Sequence, residues 1–167
     1  FRGFRAQEGP VAIEILHPEP SVPLEREVCN DDSLVLRLAT DGQSFLLAAD
    51  IGTDAEKNIL EARLEVRSRV LKSPHHGSRT SSTAAFVQAT RPRYVVYSTS
   101  FRNRWNFPAS DVVERWRQSG ACGLNTAEEG ALQFDVTPDA GLQLARRQRA
   151  AAPGVWPARP TDSRSCR

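Results

Sequence analysis

Three places in this sequence bring together side chains suited to chemistry, and each lies where an apolar segment stops. The first is Asp50, directly after Phe45-Leu46-Leu47-Ala48-Ala49. A carboxylate at the end of a buried strand is held rigidly at the rim of a sheet, where α/β proteins build ligand sites. It is equally suited to a turn or helix cap, since Ile51-Gly52-Thr53-Asp54 follows. The second is Pro74-His75-His76-Gly77-Ser78-Arg79-Thr80-Ser81-Ser82. Two adjacent imidazoles can ligate a metal or exchange protons near neutral pH, so His75 and His76 are candidates for both roles. Gly77 would let the backbone approach a phosphate, and the helix start that follows could receive an anion. The third is Asn103-Arg104-Trp105-Asn106-Phe107-Pro108. Asn103 and Arg104 can bind a phosphate or pin the loop; Trp105 and Phe107 can stack on bases or fill the core.

The elements that must position these residues are readable in outline. Val11 to Leu16 reads as a strand closed by His17-Pro18-Glu19-Pro20, which puts His17 in a surface turn. Polar, aperiodic residues 19–31 form a loop. Ser33 to Leu38 and Ser44 to Ala49 are strands joined through Asp41-Gly42, a hairpin signal. The second is apolar on both faces, which predicts a central strand in a covered sheet. Asp54 caps a helix running to about Glu65, and Val70-Leu71-Lys72 is a short strand delivering the histidines. Ser81 or Ser82 starts another helix, Arg93 to Ser98 is a strand, and Ser110 caps a helix that Gly120 ends. Ala131 to Val136 and Gly141 to Ala145 close the chain as paired strands. Alternating strands and helices give an α/β fold with a mixed sheet.

Composition fits this frame. The 167 residues hold one domain with a core. A net charge of +2 does not by itself argue for nucleic-acid binding. From Arg146 to Arg167 there are six arginines against Asp162 alone, with three prolines, so residues 146–167 are expected to be a disordered tail. Its bland reading is a solvated chain end. No apolar run approaches the roughly 18 residues of a membrane-crossing helix, and no signal peptide is visible. Cys29, Cys122 and Cys166 lack metal-type spacing and read first as buried or incidental thiols, with a disulfide between two of them as the lesser alternative.

The order of four segments resembles ComEC-type competence proteins: Asn30 to Leu38, Ser44 to Ile51, Val70 to Ser78 with its Pro-His-His-Gly-Ser run, and Asn103-Arg104-Trp105. Gly130-Ala131 also fits, and the likeness covers about residues 4–137. The resemblance implies a metallo-β-lactamase-like αββα sandwich, here its C-terminal half over residues 1–145. It implies an extracytoplasmic (periplasmic) domain of an inner-membrane DNA-uptake protein, proposed to degrade the strand that is not imported. By that resemblance Asp50 matches a metal-bridging aspartate. His75 and His76 match the paired histidines of the active-site rim, with the ligand between them left open. A divalent metal, Zn or Mn, would activate water and neutralise phosphate charge. Lys72, Ser78, Arg79 and Asn103 would hold phosphate oxygens.

Two departures qualify the likeness. The family's upstream His-x-His-x-Asp-His type motif is absent, so the chain is expected to begin after half of the metal ligands, with little activity alone. Phe107 stands where many relatives carry histidine before the proline, which weakens the case for a second metal ion. Ala49, in place of the usual glycine before the aspartate, is a smaller change. The leading reading is a fragment of a metal-dependent nuclease domain acting on DNA beside a membrane channel. The alternative is a catalytically silent domain that binds or guides DNA. A hydrolase of small molecules on the same fold is a third.

Overall fold

The computed structural model describes residues 2–20 and 29–151. The seven strands of its main sheet are β1 Arg5–Glu8, β2 Val11–His17, β3 Val35–Thr40, β4 Gln43–Leu47, β5 Val70–Lys72, β6 Tyr94–Tyr97 and β7 Cys122–Asn125. They lie side by side in chain order. The first four pair antiparallel, as short turns such as Asp41-Gly42 permit. From β4 onward pairing is parallel, because a helix separates each successive strand. Those helices are α1 Thr53–Glu61, α2 Ala84–Thr90 and α3 Ser110–Gln118. A second, two-stranded sheet pairs β8 Leu132–Thr137 with β9 Gly141–Arg147, and short turns α4 Thr126–Glu129 and α5 Gln148–Ala151 adjoin it. The α/β class with a mixed sheet is what the sequence predicts.

Strand alternation divides the core in two. Register aligns Leu46, Leu71 and Val95 in one row, all fully buried with Ile59, Phe86 and Trp116 of the three helices. One residue back, Phe45, Val70 and Tyr94 face the other way and pack with the β8–β9 hairpin. There the Phe134 ring meets Phe45 edge-on at 6.5 Å. Thus β4 is covered on both sides, and its apolar continuity follows from that position. The parallel strands all end at one rim, and this rim carries Asp50 and the histidines.

Several element boundaries differ from expectation for local reasons. The helix expected at Ser81 or Ser82 starts at Ala84, because Ser82 is left-handed (φ 60°) and the Thr83 hydroxyl instead caps Phe86 N–H at 3.2 Å. Likewise α1 starts at Thr53 on Gly52 rather than on a cap from Asp54, and it stops at Glu61 before left-handed Arg63 (φ 53°). Ala109, not Ser110, is the cap residue of α3. His17 is buried rather than a surface turn residue: it is 5% exposed, and its Nε2 lies 2.5 Å from the Asp31 carbonyl. Cys122 is disulfide-bonded, the lesser of the two readings its sequence allows, while Cys29 is exposed.

The ordered chain passes the boundary expected at residue 145. Arg147 pairs with Glu129 at 3.1 Å, and Arg149 donates to the Ala127 carbonyl. The rest of the expected tail, residues 152–167, lies outside the described residues, as do 21–28 of the expected loop. Among the described residues no helix is long and apolar enough to cross a membrane.

Glu56 is a fully buried carboxylate that joins α1 to α2. It accepts from the backbone N–H of Ser82 at 2.5 Å and Thr83 at 2.8 Å, satisfying two donors in the turn that leads into α2. Burial pushes its pKa above 4.5 despite those bonds and the Arg115 charge. As pH falls, the folded chain therefore protonates here before the unfolded chain. The group's contribution to stability is largest below its ordinary pKa and declines as pH rises through the raised value. Glu56→Ala orphans both N–H groups and is expected to cost about 2–4 kcal/mol at neutral pH. Urea unfolding should show a larger loss at pH 5 than at pH 8; equal losses would contradict the raised pKa.

Candidate functional site

Asp50 and His76 meet at the sheet rim. His76 Nε2 lies 3.3 Å from Asp50 Oδ1, and His76 Nδ1 lies 2.6 Å from the Ser98 carbonyl. Both ring nitrogens therefore face oxygen acceptors. A hydrogen on Nδ1 satisfies the carbonyl and leaves Nε2 directed at the carboxylate, an arrangement that requires a proton or a cation between them. Lys72 enters from the neighbouring strand end, with Nζ 3.0 Å from Asp50 Oδ1 and a second bond to the Ala49 carbonyl. Partial burial pushes the Asp50 carboxyl upward. The Lys72 hydrogen bond, with the charges of Lys72, His76 and His75, outweighs burial and holds its pKa below 3.8.

The backbone reaches this arrangement through left-handed residues. Ala49 (φ 44°), His75 (φ 44°) and His76 (φ 57°) all occupy a region that disfavours a Cβ by roughly 1–2 kcal/mol each. Such strain persists where the surroundings over-determine it, and it clusters at functional sites. The conformation of Ala49 also gives the physical reason that a glycine suits this position. His75 N–H donates to the Ala49 carbonyl at 3.1 Å, tying the two loops together.

His75 is oriented differently from its neighbour. Its Nε2 is 3.4 Å from Asn30 Nδ2, and its Nδ1 is 3.1 Å from Thr80 Oγ1. The Asn30–Asp32 turn is anchored in turn by Asp31 Oδ1, which accepts Gly52 N–H at 2.5 Å. Asn30 is thus a site neighbour that the sequence shows only within a longer resembling segment. Ser98 and Ser100 also line the cleft. They carry no motif, and a neutral hydroxyl or carbonyl at a strand end gives no sequence signal.

The remaining predicted residues take distinct places. Gly77 (φ 84°) sits where a Cβ would come within 2.6 Å of Pro108 Cβ, so its absent side chain serves a loop crossing. Ser78 is buried, its hydroxyl 3.1 Å from that of Thr80. Exposed Arg79 pairs with Asp111 at 3.0 Å. Asn103 lines the cleft, but its amide closes the loop. It donates to the Phe107 carbonyl at 2.8 Å and the Ser100 carbonyl at 3.3 Å, and its Oδ1 accepts Phe107 N–H at 2.8 Å. The Arg104 guanidinium lies 4.3 Å from the Trp105 ring centroid. Of the predicted set, then, Asp50, Lys72 and His76 converge directly on one another.

A cleft of about 550 Å³ opens over this group, walled by Asn103, Trp105 and Phe107. Asp50 and His76 fit as two ligands of a divalent ion. Asp50 Oδ1 and His76 Nε2, 3.3 Å apart, are close enough that both would reach one bound ion. The Ser98 carbonyl on Nδ1 supplies the outer hydrogen bond that orients a metal-binding histidine. Among the described residues no three His, Cys, Asp or Glu side chains gather into a metal-holding group.

No family model matches the chain. It is 29% identical over 133 residues to ComE operon protein 3 of Bacillus subtilis, covering 80% of this chain and 17% of that protein. It is 36% identical over 117 residues to Competence protein ComA of Neisseria gonorrhoeae, covering 68% of this chain and 17% of that protein. Recombination protein 2 of Haemophilus influenzae is 30% identical over 110 residues, which are 66% of this chain and 14% of that protein. The homologues of this chain are ComEC-type competence proteins, and it spans less than a fifth of the length of those it matches.

Proposed function

We propose that this chain supplies one side of a divalent-metal site in a nuclease that degrades the non-transported DNA strand during competence DNA uptake. On this reading it is the C-terminal half of a metallo-β-lactamase-like αββα domain. The domain works at the extracytoplasmic (periplasmic) face of the inner membrane, beside the membrane channel portion of the parent protein. The observation that carries the reading is the Asp50–His76 pair, two donors 3.3 Å apart at the open end of the sheet. Similarity to competence proteins supports DNA as the substrate.

Bound Zn or Mn would polarise a phosphodiester and lower the pKa of water. The chain's own residues have narrower tasks. Asp50 stays anionic because Lys72 stabilises its charge. Ser98 holds the His76 ring in place, and the Phe107 ring lies nearly parallel to it with centroids 6.5 Å apart. The Lys72 ammonium, already at the carboxylate, can shift to a phosphate oxygen. Two donors among the described residues leave an ion short of ligands, so water, substrate or further protein groups would complete its shell.

Titration of the chain with Mn²⁺ and Zn²⁺ tests this. Weak binding is expected, abolished by Asp50→Asn and by His76→Ala but retained by His75→Ala, with little cleavage of DNA. Binding indifferent to Asp50→Asn would rule the site out, and strong Mn²⁺-dependent cleavage would show that the chain's site is complete. A second reading, a silent domain that binds or guides DNA, draws on Phe107, which sets an apolar ring rather than a donor against His76. Salt-sensitive DNA binding without metal dependence would favour it.

A further inference from the structure

We propose that Trp105 is a base-stacking platform that seats a nucleobase of single-stranded DNA beside the Asp50–His76 pair and selects single strands over duplex. The inference rests on the reading that DNA is the ligand of this cleft, and it deepens that reading by naming how a strand is held. Three rings form a ladder from solvent to the site. Trp105 is stacked with Phe107 at 6.2 Å and 12°, and Phe107 is stacked with His76 at 6.5 Å and 15°. The ladder thus runs from the outermost ring to the imidazole that faces Asp50.

Trp105 does not act as a core plug. It is 59% exposed, the most exposed of the large hydrophobic residues described, and it belongs to neither core cluster. A large aromatic left in water at the wall of a cleft is poised for a planar ligand. The loop that carries it is already ordered by the Asn103 amide, which bonds both polar groups of the Phe107 backbone. Little ordering is then needed on binding, so more of the stacking energy appears as affinity.

The neighbouring charges suit a nucleotide. Arg104 lies over the Trp105 ring, 4.3 Å from its centroid, and would swing off that face to a phosphate as a base stacks there; Arg102 lies over the Phe101 ring at 5.2 Å, and Phe101 is 47% exposed. Arginines interleaved with aromatic rings pair phosphates with cations while the rings take the bases. Every base has a π-face, so the platform tolerates any sequence. In a duplex, both faces of each internal base are already stacked on neighbours. Only a single strand or a frayed end can offer a base to Trp105.

The test uses the full 167-residue chain in EDTA, where cleavage is suppressed, with fluorescence anisotropy of a labelled oligothymidylate. The probe is compared with an abasic strand of equal length, which keeps the phosphates and lacks the bases, and with a duplex. Trp105→Ala is expected to weaken oligothymidylate binding about 5- to 100-fold. Trp105→Tyr should restore it to within roughly threefold, since a flat ring remains. Abasic and duplex probes should bind the wild-type chain weakly and be indifferent to Trp105→Ala. If oligothymidylate and abasic strand bind alike, or Trp105→Ala changes nothing, the stacking proposal is overturned while DNA binding stands. A wild-type chain that binds none of the three probes overturns the DNA reading itself, and this proposal with it.

Discussion

On the proposed function, replacing Asp50 with asparagine in a protein that joins this chain to the rest of a metal-dependent nuclease domain is expected to lower DNA cleavage by at least about 100-fold, with the fold unchanged. Loss of an outer hydrogen bond around a metal ligand already reduces affinity or activity by about 10- to 100-fold, and loss of the ligand's own charge should exceed that. Asparagine is nearly isosteric and can still accept from Lys72. The Asp50 side chain is 39% exposed at the sheet rim, so the substitution removes no core packing. Because the Lys72 bond and nearby charges hold its pKa below 3.8, Asp50 is ionised throughout the neutral range. Its contribution to folding is present above that value and lost as pH falls through the lowered pKa. Solvent exposure keeps that contribution small. A loss of activity in Asp50→Asn at pH 7 is therefore not an unfolding effect. Cleavage of labelled DNA with Mn²⁺ is the measurement, with thermal melting as the control. Wild-type cleavage by the variant would remove Asp50 from the site.

Gly77→Ala should be the most damaging of the small substitutions to stability. Gly77 has φ 84°, which disfavours any Cβ, and the added methyl would lie 2.6 Å from Pro108 Cβ and 3.1 Å from the Tyr97 ring. Neither neighbour can easily yield. Tyr97 is buried in the core, and Pro108 is fixed by the Asn103 bonds at Phe107 and by the bond from Ala109 N–H to the Gly77 carbonyl at 2.9 Å. Left-handed strain of about 1–2 kcal/mol and overpacking of about 1–3 kcal/mol add to about 2–5 kcal/mol. For a domain of this size the melting temperature should fall by about 5–15 °C. The histidine loop and the aromatic loop should also separate, with loss of metal binding even below the melting point. A melting temperature within a degree of wild type would show that the two loops do not cross so closely.

This crossing marks what the sequence does and does not disclose. The Pro-His-His-Gly-Ser run marks a candidate site, and the short strand Val70–Lys72 is legible because its two apolar residues and a lysine run into Ser73-Pro74. The central strand is legible too, since continuous apolar character requires cover on both faces. The role of Gly77 is not, because its partner Pro108 is 31 residues away and only the tertiary fold brings them together. The choice between His75 and His76 likewise depends on left-handed backbone angles that no spacing encodes. Strand β1 is hidden because its four residues are all exposed and three of them are polar, as befits an edge. Strand β7 is hidden because it is short and carries a glycine beside the Tyr97 ring. Glu56 looks like any solvated helix residue, and only the fold reveals that it holds the backbone leading into the next helix from within the core.

The most direct test of the metal assignment is anomalous diffraction from crystals of this chain grown with Mn²⁺ or Zn²⁺. A peak is expected about 2.0–2.2 Å from both Asp50 Oδ1 and His76 Nε2, with the His76 Nδ1 contact to Ser98 retained and the Lys72 ammonium displaced from the carboxylate. A peak on His75 instead, or none at metal concentrations that saturate binding in solution, would contradict it.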